Sequence, residues 1–372
     1  MLKKLKILYI FIPISLILFY LLQAPLASFL SSALAIIPLA ALMSHLTDQI
    51  RHQLGSSWGG LINISFANAT ELIISLFAIY DGLFNVVKAN ITGSIIMNLL
   101  LVLGLSFFLG GLKYQRQEFD KLLAITNSVM LMLAVIGMLI PAIFYYGSAK
   151  IKTVILGRLS LGVGLVLFIT YLAGLYFTLI FHEQEKEEGE AKRKGSAAVS
   201  GTGRTGPEKN KRGAKKSWPY SSSLWKKILF LFLTTILIAL EAHILINSLS
   251  SVQEVFKISP VFIGVIILPL ISNMAENLTA IKMARENKID LSISIAVGSS
   301  IQVALFLVPL LIFISHLIKQ PMNILFNILE ISSIGLSVLA INIVYLQGKS
   351  NWFEGLQLIA AYLIIAIAFY FA

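Results

Sequence analysis

Two carboxylates stand inside stretches that are otherwise apolar. Glu71 lies about two-thirds of the way along the run 58–80, and Glu276 takes a similar depth in 258–284. A charge at such a depth in a bilayer costs about 3 kcal/mol on the mildest scale, so it turns towards a cavity or a partner. Three residues before each stands an asparagine, Asn68 or Asn273, which puts amide and carboxyl oxygens on one helical face. A Gly-Ser pair follows each after the same interval, as Gly93-Ser94 and Gly298-Ser299, and one offset of 205 residues relates every pair. Facing each other, the two motifs make a site of two carboxylates and two amide oxygens, extended by Ser94, Asn98, Ser299, Ser300 and Gln302. All are hard oxygen donors. They suit Ca²⁺, which takes roughly 6–8 oxygens in flexible geometry, better than Mg²⁺, which gives up water reluctantly. The chain has no Cys, and its five histidines (45, 52, 182, 243 and 316) do not cluster with the motifs.

Without a cation the two glutamates repel each other and are poorly solvated, and both effects favour uptake of protons. Metal and protons would then occupy one site in turn, which is the logic of exchange. Plainer readings exist for each residue. The glutamates could be hydrogen-bonded structural carboxyls, the asparagines could bond between helices, and the serines could serve packing alone. Asn98 and Gln302 do not align with each other in the repeat register. Asp48, Glu241 and Glu330 are further acidic residues in or near apolar runs, open to a proton-path, cation-access or purely structural role. His45 and His243 read more simply as satisfied polar groups than as switches.

The elements that carry these residues are membrane helices. The chain is 57% hydrophobic and only 13% charged, far from the roughly 25% charge of a soluble domain. Its apolar runs reach about 20 residues, enough to cross a core about 30 Å thick. Eleven spans are expected, at 5–23, 26–50, 58–80, 86–109, 121–146, 158–182, 224–250, 258–284, 289–315, 325–346 and 352–371. The first has no small-residue cleavage site behind it and reads as a retained helix. The fold class is an all-α polytopic membrane protein: an N-terminal helix (1–25), a five-helix repeat (26–182), a polar linker (183–223) and a second five-helix repeat (224–372). The linker, rich in Gly, Ser, Lys and Glu, cannot bury a core.

With the N-terminus cytoplasmic, 23 of the 29 Lys and Arg fall on the cytoplasmic side, as the positive-inside tendency requires. The linker is then cytoplasmic too. The six on the other side are Lys88, Lys150, Lys152, Arg158, Lys257 and Lys319. The net charge of +11 is therefore a topology signal and not a nucleic-acid footprint, and the expected surroundings are lipid. In this topology the third and eighth helices run in opposite directions. Inverted repeats of this kind mark secondary transporters whose site lies near mid-membrane. Pro269, four residues before Asn273, favours a kink beside the site, and Gly59-Gly60 allow close helix approach.

The stretch Ser65 to Ala78 with Gly93-Ser94 resembles the first repeat motif of the Ca²⁺/H⁺ antiporters, the cation/proton exchanger branch of the calcium:cation antiporter superfamily. Leu268 to Ala280 with Val297 to Gln302 resembles the second. The segment Gly348 to Gly355 and the acidic run Glu183 to Glu190 are similar as well, and the resemblance covers nearly the whole chain from about residue 26. It implies that Glu71 and Glu276 bind Ca²⁺ and protons alternately, with Asn68 and Asn273 assisting and Ser94, Asn98, Ser299, Ser300 and Gln302 lining the passage. Departures exist: Ala67 and Ser272 replace the usual Gly, Asn277 replaces the usual His, and Thr47-Asp48 replaces Thr-Glu. Sodium-driven relatives generally carry Gly-Thr-Ser before the acidic residue, so Asn here favours protons. A Na⁺/Ca²⁺ exchanger on the same scaffold is the nearest alternative, and a channel is the next. No cofactor or enzymatic activity is expected, since no nucleophile or His-Glu-x-x-His motif is present. The ions are substrates, the short loops fit a prokaryotic plasma membrane, and homo-oligomerisation is left open.

Overall fold

The structure, a computed structural model, describes residues 5–66, 68–147, 155–177 and 224–372, with the side chains of 55–65 outside that description. The expected linker, 183–223, therefore lies outside the described residues, as does its acidic run. Twelve described helices follow in chain order. They are α1 (Lys6–Tyr20), α2 (Pro25–Phe66), α3 (Ala69–Tyr80), α4 (Phe84–Tyr114), α5 (Lys121–Gly147) and α6 (Ile155–Phe177). The second half supplies α7 (Leu224–Phe256), α8 (Pro260–Ser272), α9 (Met274–Arg285), α10 (Ile289–Leu317), α11 (Ile328–Gln347) and α12 (Trp352–Phe371).

Among the described residues, eight helices are long and apolar enough to cross a membrane, or nine when the bent pair α8–α9 counts as one span. The expectation of eleven uniform spans needs correction at three places. Lys6–Tyr20 is a short apolar helix. The loop expected near 51–57 is absent, because α2 continues as helix to Phe66. The runs 58–80 and 258–284 are not single helices: the backbone breaks at Asn68 and at Asn273, the second with a bend of 66°. An all-helical expectation also missed a two-stranded antiparallel ladder, β1 (Arg116–Glu118) with β2 (Lys349–Asn351), tying the α4–α5 connection to the α11–α12 connection.

The sequence offset of 205 residues reappears in the backbone. It maps both ends of α3 onto those of α9 and the start of α4 onto that of α10. It also maps a widened π-helical stretch at Met97–Val102 onto one at Val303–Leu307, give or take a residue. Such π stretches insert an extra residue per turn and collect at functional sites.

Contacts cross between the halves. The first part of α4 packs on α8, its last part on α9 and α12, and α5 packs along α11. On the other flank α2 lies along α7, with α1 against α2. The inner faces form a large apolar core, from Phe29 and Ile36 through Ile95 and Leu103 to Val303 and Ile341, and a smaller cluster of Leu39, Met43, Ile50 and Ile238 where α2 meets α7. Outer faces of α5, α6, α7 and α12 expose large apolar side chains, as lipid contact requires.

Lys88, counted among the basic residues of the non-cytoplasmic side, is buried. Its ammonium donates to Asn323 Oδ1 at 2.8 Å and to the Leu325 carbonyl at 2.6 Å, clamping the α10–α11 connection onto the start of α4. At the ladder end Gln117 plays the mirrored part. Its amide donates to the Ala284 carbonyl and to Asn287 Oδ1, both at 2.9 Å, holding the C-terminal end of α9.

Candidate cation site

The chain contains four Asn-x-x-Glu sequences, and each marks the start of a helix. This spacing suits a helix N-terminus: Asn accepts from the third backbone N–H, and Glu reaches back to the cap. At Asn327–Glu330 and Asn351–Glu354 both bonds form and the box closes. At Asn68–Glu71 and Asn273–Glu276 neither asparagine side chain makes its cap bond. Each such cap ordinarily contributes about 1 kcal/mol. Here the side chains are turned away from their own backbone and into a shared polar cluster. The signal for the two breaks was therefore inside the motif, and an otherwise apolar run concealed it.

The cluster is built by exchange between the repeats. Asn273 donates from Nδ2 to Glu71 Oε1 at 2.6 Å and lies 3.3 Å from Ser94 Oγ, while the Ser94 hydroxyl donates to the same carboxylate oxygen. The mirrored set is looser. Ser299 Oγ donates to Asn68 Oδ1 at 3.5 Å, which is long for a hydroxyl, and Asn68 Nδ2 donates to Gln302 Oε1 at 3.0 Å. Ser299 is also within hydrogen-bonding reach of the Glu276 carboxyl, and the two glutamates are near enough to act on each other electrostatically. Glu71 is 1% exposed, and its second oxygen, Oε2, is buried with no hydrogen-bond partner among the described residues. Both glutamates occupy the first turn of a helix that begins at the break. There the unpaired N–H groups favour negative charge.

Glu276 is surrounded by protein yet keeps part of its surface on a cavity of about 650 Å³. Ser44, His45 and Asp48 of α2, Thr279 of α9 and Ser294 of α10 line this space with it. The two repeat glycines report its one-sidedness. A Cβ on Gly93 would strike the Val265 backbone carbonyl and Pro269, whereas a Cβ on Gly298 would meet nothing within 4 Å. Equivalent positions are sealed in one half and open in the other.

The chain matches the family described as sodium/calcium exchanger protein over residues 24–180 and 226–371. It belongs to that family. Among curated relatives, the Ca(2+)/H(+) antiporter of Aphanothece halophytica is 43% identical over 362 residues, spanning 97% of this chain and 95% of its own. The Ca(2+)/H(+) antiporter ChaA of Bacillus subtilis (strain 168) is 38% identical over 345 residues, spanning 90% and 89%. Among solved structures, native YfkE aligns with a TM-score of 0.80 at 35% identity, over 99% of this chain and 100% of that one.

Within this exchanger fold, not every residue singled out from the sequence reaches the cluster. Glu71, Glu276, Asn68, Asn273, Ser94, Ser299 and Gln302 do. The Ser300 hydroxyl instead donates to the Ala296 carbonyl of its own helix at 3.0 Å. Asn98 is buried in the π stretch of α4 with its amide nitrogen unpartnered among the described residues. Asn277, standing where the resembled motif usually has His, points its amide at Met97 sulfur, 3.6 Å away.

The other acidic candidates separate by surroundings. Asp48 is on the cavity wall, 2.8 Å from the Arg51 guanidinium. Glu330 closes the cap of α11 beside Lys88, a structural role. Glu241 is buried apart from the cluster, on α7 against Ser15 of α1. His243 contacts Phe19 and Phe77 and bonds Asn247 on the next turn. His45, Thr279 and Ser294 on the cavity wall were not foreseen as site residues. Their positions depend on how α2 meets α9 and α10, which no local pattern encodes.

Proposed function

We propose that this multi-pass exchanger-family protein is a secondary antiporter that moves Ca²⁺ against H⁺ through the Glu71–Glu276 pair, opening alternately to the two sides. The observation that carries the reading is the state of the pair itself. One glutamate is sealed in the protein with a bare oxygen, the other borders an aqueous-sized cavity, and donors from both repeats converge between them. A bare ionised oxygen at this depth is costly. Either a divalent cation or protons relieve it, so the empty ionised site is the state least able to cross the cycle. The relatives named Ca(2+)/H(+) antiporters support this choice of ions.

Hard oxygens from Glu71, Glu276, Asn68, Asn273, Ser94, Ser299 and Gln302 supply the ligands a Ca²⁺ ion takes. On release of the cation, protons occupy the carboxyls. The repeats are inverted and the cavity faces the cytoplasm, because its wall carries Arg51 on the side where basic residues concentrate. In the opposite state the Gly298 position closes and the Gly93 position opens. The direction of net transport is then Ca²⁺ efflux across a prokaryotic plasma membrane, driven by proton return.

The test is ⁴⁵Ca²⁺ uptake into proteoliposomes. Uptake driven by a pH gradient with no Na⁺ on either side supports the proposal. Uptake that requires a Na⁺ gradient identifies a Na⁺/Ca²⁺ exchanger instead and overturns it.

A further inference from the structure

Glu241 is a buried carboxyl that the cation cycle does not use. It is 1% exposed, on α7, and its partner Ser15 of α1 is 0% exposed. Ser15 Oγ lies 2.8 Å from Glu241 Oε1 and also 2.8 Å from the Ile12 carbonyl oxygen. A serine hydroxyl has one proton to donate. An ionised Glu241 would leave that one proton shared between two acceptors, since neither the carbonyl nor a carboxylate carries another. A proton on Glu241 gives each of the two contacts its own hydrogen. Its other oxygen, Oε2, is buried with no hydrogen-bond partner among the described residues, which a neutral carboxylic acid tolerates far better than an anion.

We propose that Glu241 is a proton-binding site separate from the Glu71–Glu276 pair, held as a neutral carboxylic acid whose O–H donates to Ser15 Oγ and latches α1 to α7. The chain of donation then runs one way, from Glu241 to Ser15 to the Ile12 carbonyl. Three helices pack against this part of α7, namely α1, α2 and α3. Their ionisable groups are Lys6, Tyr9 and Tyr20 on α1, His45, Asp48, Arg51 and His52 on α2, and Glu71 and Tyr80 on α3 with Asp81 just beyond it, while α7 itself carries Lys226, Lys227, His243 and Glu254. Among the described residues none of these acts electrostatically on Glu241, and Ser15 is the one side chain that hydrogen-bonds it. Tyr9 is engaged elsewhere, donating to the Pro38 carbonyl at 3.3 Å. The latch thus depends on one proton and no counter-ion. The latch is independent of which ions the central pair carries.

Infrared difference spectroscopy on the purified full-length protein reads protonated carboxyls directly through their C=O stretch. Glu241→Gln should remove one protonated-carboxyl band, and Ser15→Ala should move that same band to higher frequency as its hydrogen bond is lost. Saturating Ca²⁺ should leave the band in place. Thermal melting supplies a second readout. A proton held in the folded state and lost on unfolding lowers stability as pH rises, so the wild type should fall behind Glu241→Gln progressively towards alkaline pH. If Glu241→Gln removes a carboxylate band instead, or leaves the protonated region unaltered, the proposal is overturned. Should that variant not fold, Ser15→Ala decides: a shifted band supports the latch, and an unaltered spectrum refutes it.

Discussion

Replacing Gly93 by alanine should shift this protein out of the state seen here, while the same change at Gly298 should not. The added methyl at position 93 would stand 2.7 Å from Pro269 Cγ and closer still to the Val265 carbonyl, whereas ordinary contact begins at 3.4 Å. The obstacle is backbone in the middle of α8, so no side chain can turn aside. Helices α4 and α8 must part by roughly 1 Å or the contact must open, and overpacking of this kind costs about 1–3 kcal/mol. Each 1.4 kcal/mol is about a tenfold change in an equilibrium, so cavity-open molecules should fall about 5- to 150-fold relative to other states. Position 298 faces the cavity with nothing within 4 Å, so its alanine variant should keep this state and slow only the closing step. The chain has no cysteine, so a single Ser294→Cys on the cavity wall reports access through labelling by a membrane-impermeant maleimide. Labelling should drop sharply with Gly93→Ala and hold with Gly298→Ala. Equal labelling in both variants would refute the claim that the two glycine contacts are sealed in one half and open in the other.

Other consequences follow from the same geometry. Asn273→Ala removes the amide that holds Glu71 and Ser94 in place; loss of such an orienting partner costs about 10–100-fold in metal affinity, so calorimetric Ca²⁺ affinity should weaken by about tenfold or more. Ser94→Ala should lower exchange in proteoliposomes, whereas Ser300→Ala, whose hydroxyl serves its own helix, should stay within about twofold of wild type. Gln117→Ala removes one of the two donors to the Ala284 carbonyl, which keeps the Asn287 N–H, and removes the donor to Asn287 Oδ1, and thermal unfolding should show a loss of about 1–3 kcal/mol.

The repeat and its two glutamates were legible because a charge in an apolar run is rare and a constant offset is easily checked. Cross-repeat contacts were not, since Asn273 serving Glu71 and Gln302 serving Asn68 depend on the docking of distant helices. The breaks at Asn68 and Asn273 lie between. Hydropathy hides them because both flanks are apolar, and Pro269 does not cause the second one directly: its carbonyl still accepts from the Asn273 N–H at 3.0 Å. The Asn-x-x-Glu spacing announces a helix start, a signal that its fitness as a ligand pair obscures. Lys88 misled in another way. Near a span end it resembles a solvated flank residue, and only the folded α10–α11 connection supplies the two acceptors that bury it.

The account rests on metal and protons competing for one pair of carboxyls. Ca²⁺ added to purified protein in weakly buffered detergent solution measures this directly, with a pH indicator in the same cuvette. Saturation should release protons from the wild type at mildly acidic pH, and Glu71→Gln or Glu276→Gln should release fewer and bind the ion weakly. Tight Ca²⁺ binding with no proton release, or full release from either variant, would contradict it.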